Sequence, residues 1–175
     1  MEVLGGDGVI LMASGGITAS DDATHLARAV ELAVQNVAAG GGPFGALIVG
    51  PDGAVLAEGQ NRVTRDLDPT AHAEVVAIRR ACQAADSFSL IGSTLYTSCE
   101  PCPLCLSAAL WARVDRVVFA ADRHDAARGG FDDREFYELF EQPRGLWRIP
   151  IDSVRTADAS GPFDAWLAQE SRTDY

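Results

Sequence analysis

The sequence has no apolar run approaching the roughly 18 residues that a membrane-spanning helix requires, so no such span is expected. No basic stretch precedes the short apolar segment at residues 8–13, which argues against a secretory leader and makes the cytoplasm the expected compartment. Positive charge is scarce: 14 Lys and Arg stand against 25 Asp and Glu, a formal charge of −11. The longest basic cluster is the pair Arg79-Arg80. Such a chain repels phosphate backbones and anionic membrane surfaces, so neither nucleic acid nor membrane is an expected partner. No internal repeat appears, which excludes solenoids and propellers.

Cysteine is scarce as well, four in 175 residues, yet Cys99, Cys102 and Cys105 fall within seven positions. In a reducing compartment such clustering indicates a metal site rather than a disulfide framework. Material for a core is ample, with 47% apolar residues, and the length fits one domain. Residues 1–20, rich in Gly and Ser and without period, read as a flexible extension ahead of a domain at 21–175.

A first helix is expected from residue 21, carried by Leu26, Val30, Ala33 and Val37, opened by Asp21 and Asp22 and closed by Gly40. Strands at 45–49 and 54–60 flank Pro51-Asp52-Gly53 and form a hairpin, since Pro fixes φ and Gly accepts a positive one. Further helices are expected at 71–84, 103–113, 131–140 and 162–170. Further strands are expected at 94–98, 116–121 (a buried one) and 148–154. This alternation gives a mixed sheet covered by helices on both faces.

The chemistry concentrates in two places. His72-Ala73-Glu74 is followed by Glu100-Pro101-Cys102-Pro103-Leu104-Cys105. A catalytic zinc site takes three protein ligands, and imidazole with two thiolates suits that borderline-soft ion. The two-residue gap aims both sulfurs at one point from a helix's first turn, where the exposed amides stabilise thiolates. Glu74 diverges from His72 by about 200° around a helix, so it is no obvious fourth ligand and is instead placed for general acid/base work. A closed structural site with Cys99 as fourth ligand, as in a zinc knuckle, is the competing arrangement. Cys82 shares a stripe with Ile78 and reads as core, while His25 and His124 read as surface residues.

These residues resemble the cytidine-deaminase-like superfamily. The resemblance runs from about residue 24 to Tyr175 and is densest at 41–46, 59–61, 68–74, 77–79, 96–105 and 111–113. The wording Ser98-Cys99-Glu100-Pro101-Cys102 and Phe131-Asp132-Asp133 is similar to the bacterial guanine deaminase branch. The resemblance implies a three-layer α/β/α sandwich around a five-stranded mixed sheet, with one Zn²⁺ per subunit held by His72, Cys102 and Cys105. It implies hydrolytic deamination of guanine to xanthine and ammonia, with Glu74 as the proton carrier. Phe44, Asn61, Ala73, Trp111 and Asp133 would surround the purine base. It further implies a homodimer in which a segment at about 145–175 is exchanged, so that Tyr175 reaches the other subunit's site. The alternative within the superfamily is a deaminase of tRNA adenosine or of a free pyrimidine or triazine base.

Overall fold

All five residues of strand β1 (Gly45–Val49) are buried. Ala46 and Ile48 pack on one side with Ala73, Ala77, Leu95 and Ala109, while Leu47 and Val49 pack on the other with Ala29 and Tyr96. A pleated strand whose alternate residues enter two separate cores must be covered on both faces. Helix α1 (Ala19–Ala38) supplies one cover, and α3 (Ala73–Ala84) with α4 (Pro103–Trp111) supplies the other. Complete burial of Leu47, Ile48 and Leu95 contributes about 1.5–3 kcal/mol each. The computed structural model that shows this describes residues 19–131 and 133–174, the side chains of Ala19 and Ser20 excepted.

With β2 (Val55–Gln60), β3 (Thr94–Cys99) and β4 (Arg116–Ala121), β1 forms one sheet in the order β2-β1-β3-β4. β1 runs antiparallel to β2 and β3, and β3 runs parallel to β4. Three layers and a mixed sheet match the expectation. The strand number does not: the sheet has four strands among the described residues, not five.

The expected strand at 148–154 is irregular backbone, with Ile149, Ile151 and Val154 exposed. Pro150 lacks an amide donor, and nothing within the described residues pairs with this segment. β4 therefore ends the sheet and is half-exposed, not buried as its apolar sequence indicates. Two short helices were not expected: α2 (Val63–Asp66) and α5 (Arg123–Arg128). The second opens on a reciprocal cap between Asp122 and Asp125. Helix α6 (Arg134–Glu141) begins three residues later than expected, and α7 (Gly161–Ala168) follows a 3-10 turn at Arg144–Leu146. The extension at 1–20 lies outside the described residues as far as 18, and α1 already begins at Ala19. Among the described residues no helix is long and apolar enough to cross a membrane.

Gly59 fixes how the second helical layer meets the sheet. A Cβ at this position would lie 2.1 Å from the Ala73 carbonyl oxygen and 2.6 Å from the Ala77 nitrogen. Only a residue without a side chain lets the first turn of α3 lie this close to β2. That turn carries His72 and Glu74.

Candidate active site

His72 is the N-cap of α3 and Cys102 the N-cap of α4, both in extended conformation. Pro103 at the start of α4 suits a position whose amide has no helical partner. Two helix starts thus face one another. His72 Nδ1 stands 3.5 Å from Cys102 Sγ and 3.4 Å from Cys105 Sγ, and the two sulfurs are 3.6 Å apart. A tetrahedral ion with Zn–S bonds near 2.3 Å requires sulfurs about 3.8 Å apart. The donor set and its spacing fit zinc. Cys99 stays outside this group, its thiol turned to the Asp122 carbonyl at 3.6 Å. The closed Cys3His arrangement is therefore not formed.

The protonation pattern follows from the same contacts. The hydrogen-bond contact with Cys105 holds the Cys102 thiol down to about 4, assisted by His72. The same contact, together with burial, pushes Cys105 up. His72 is raised by its hydrogen bond with Cys102. These contacts favour the thiolate at Cys102, whereas a divalent ion held by all three residues takes both cysteines as thiolates and the imidazole neutral, so its binding releases protons.

Glu74 is buried at 5% exposure, and burial raises its pKa above the ordinary carboxyl value. Thr97 lies 3.4 Å away, its hydroxyl toward Glu74 Oε1. With His72, Cys102, Phe44, Asn61 and Asp133, Glu74 lines a cavity of about 530 Å³. Asn61 follows β2 and Phe44 precedes β1, so the paired hairpin ends bring them together, the Asn61 amide donating to the Phe44 carbonyl at 3.1 Å. Asn61 Oδ1 also accepts from the Val63 amide at 3.3 Å, which starts α2.

Asp133 occupies the N-cap position of α6 but makes no side-chain cap. Its Oδ1 is buried with no hydrogen-bond partner among the described residues, and desolvation raises its pKa. An orphaned buried acceptor in a cavity wall is costly unless a ligand satisfies it.

Not every expected residue arrives here. Ala73 is fully buried between His72 and Glu74 and does not line the cavity. Trp111 is 65% exposed on an outer shelf with Ser107, Leu110 and Arg113. Six residues past Cys105 it points about 240° away around the helix, which turns it from the cavity within this chain. Tyr175 lies outside the described residues.

Two contributors were missed. Phe131 meets Phe44 edge-to-face at 5.0 Å and lines the cavity. Asn36, wholly buried in α1, donates from Nδ2 to the carbonyls of Gly42 and Asn61, each at 2.8 Å. A polar residue one turn beyond the buried Leu32 and Ala33 was the available signal, because buried amides are there to hold something.

The model of the cytidine and deoxycytidylate deaminase zinc-binding region matches residues 19–121. The guanine deaminase of Bacillus subtilis (strain 168) is 50% identical over 153 residues, covering 87% of this chain and 97% of that protein. The X-ray structure of the Bacillus subtilis guanine deaminase superimposes with a TM-score of 0.84 at 50% identity, over 87% of this chain and 98% of that one. The tRNA-specific adenosine deaminase of Haemophilus influenzae is 35% identical over 130 residues, 71% of this chain and 75% of that protein.

Proposed function

Since the chain belongs to the family of the cytidine and deoxycytidylate deaminase zinc-binding region, we propose that it hydrolyses guanine to xanthine and ammonia. The observation that carries the reading is one cavity lined by Glu74, by His72 and Cys102 of the His72–Cys102–Cys105 triad, and by Asp133, whose Oδ1 has no partner among the described residues. Bound at the triad, zinc supplies a Lewis acid that makes water a nucleophile near neutral pH.

The protein's own part is proton traffic and orientation. Glu74, kept basic by burial, takes a proton from the attacking water and gives it to N3 of the purine as the oxygen joins C2. It then carries the second proton to the exocyclic amine, the C2–N bond breaks, and ammonia leaves. Asn61 and Asp133 bind the polar edge of the base. Phe44, reinforced by Phe131, covers a ring face. A site built to hydrogen-bond a substrate rejects analogues that leave its groups unpaired.

Homodimer formation by exchange of the C-terminal segment belongs to the same proposal. Ile149, Ile151, Val154, Phe163 and Leu167 are exposed, and β4 ends the sheet. A second copy's segment at 148–154 beside β4 would supply the fifth strand and bring Tyr175 toward the cavity, in a cytoplasmic enzyme acting on a free base.

Ammonia release from guanine, cytosine, ammeline and a tRNA anticodon stem-loop, with zinc measured in parallel, tests the reading. Guanine is the expected substrate. Release from the stem-loop alone would instead support a tRNA deaminase, which the charge of −11 disfavours.

A further inference from the structure

Beside the cavity, which Glu100 also lines, a closed ring of contacts joins helix α6 to the loop that carries Cys102. Glu100, two residues before that cysteine, accepts from the Arg123 amide at 3.1 Å, from Arg123 Nε at 3.0 Å and, through its other oxygen, from Arg123 Nη2. The same guanidinium lies over the Tyr137 ring, 3.8 Å from its centroid. Tyr137, on α6, donates its hydroxyl to the Pro101 carbonyl. The path therefore returns to the ligand loop where it began. Tyr137 stands four residues after Asp133, so the two share one side of the start of α6.

Each link favours a single geometry. A guanidinium fork holds a carboxylate in one plane, and its stacking on an aromatic ring fixes the remaining face. Glu100 and Arg123 are only 17% and 31% exposed at their side chains, so water competes poorly for this pair. The proton-transfer chemistry uses none of these three side chains.

We propose that Arg123 and Tyr137 are positioning residues that lock the Cys102 loop to helix α6, so that the metal-ligating sulfur and Asp133 keep one fixed separation. The ligand-loop half of this inference is independent of substrate, and the Asp133 half rests on the purine reading above. The test keeps the halves apart.

Cobalt(II) replaces zinc in the full-length protein, and its thiolate absorption reports the geometry at Cys102. Tyr137→Phe, Arg123→Lys and Arg123→Ala are compared with the parent for metal loss to a chelator, visible spectrum, melting temperature, and kcat and KM for guanine. Tyr137→Phe is expected to release cobalt about 10-fold faster with a displaced thiolate band, as loss of a group supporting a metal ligand does. Arg123→Ala releases it faster still, and Arg123→Lys recovers part of the retention through charge alone. KM for guanine rises in Tyr137→Phe by a larger factor than kcat falls. Folded Tyr137→Phe protein with parental release rate and spectrum, and only a lower melting temperature, would overturn the proposal. Should Arg123→Ala fail to fold, the two milder variants decide. A parent inactive on guanine would sink the purine reading yet leave the cobalt comparison decisive for the loop.

Discussion

The Thr97 hydroxyl points at Glu74 Oε1 across 3.4 Å, linking the middle of the central sheet to the first turn of α3. A buried carboxyl with a neutral neighbour is held in place without being neutralised by an ion pair. Replacing Glu74 by Gln preserves that contact and the volume but removes the carboxylate that takes up and releases the proton. The expected outcome is a fall in turnover of about 100-fold or more, with zinc content unchanged by elemental analysis. Activity within a few-fold of the parent would remove Glu74 from the proton pathway.

Stripping the metal should silence the enzyme and leave most of the fold. The cores around Ile48 and Leu95 and around Leu47 and Tyr96 are built from the sheet and its helices rather than from the triad. Circular dichroism after chelation is expected to show largely parental secondary structure with no deamination. Global unfolding on chelation would mean that the ion is structural.

Stability should fall at both ends of the pH scale through one cluster. Asp22 accepts from Tyr96 Oη at 2.7 Å and pairs with Arg116, which holds its pKa below the ordinary value. A depressed carboxyl stabilises the fold above its unfolded pKa and loses that contribution as pH drops through the folded one. Tyr96 is pushed up to about 12 by burial and by Asp22. A raised phenol stabilises the fold below pH 10 and loses that contribution between pH 10 and about 12. Tyr96→Phe is expected to flatten the alkaline decline in melting temperature, and Asp22→Asn the acid one. Unchanged profiles in both variants would refute the assignment.

Asn61→Ala should weaken base recognition while sparing the ion. One buried hydrogen bond is worth about 1–3 kcal/mol when its partner is left unsatisfied, so kcat/KM should drop about 10–100-fold at constant zinc content. Equal kcat/KM for parent and variant would confine Asn61 to capping α2.

Removing residues 142–175 should yield monomers in sedimentation, since the arm's exposed apolar residues and the open edge of β4 are the surfaces proposed to pair. Deleting Tyr175 alone should leave the dimer intact and lower kcat/KM. A parental protein that sediments as a monomer would end the exchange model.

Much of the site was legible because its determinants are local. The two-residue gap between Cys102 and Cys105, and the helix start after His72, set directions that tertiary packing merely brings together. Trp111 lies too far along α4 for that logic, and helical phase carries it to an outer shelf. The ring through Glu100, Arg123 and Tyr137 joins residues 23 and 36 positions apart with no recurring spacing. Nothing short-range announces it. The segment at 148–154 has strand-like composition, but pairing depends on a neighbour, and among the described residues it finds none.

The missing side chain of Gly59 has a consequence for heredity. A single methyl there would collide with backbone rather than with a yielding side chain, so α3 would have to retreat as a rigid body. The imidazole and the proton-carrying carboxyl ride on its leading end. Alanine, mild almost anywhere else in a strand, would here displace the groups that must meet, so inheritance at this position is narrowed to the one residue that has no side chain.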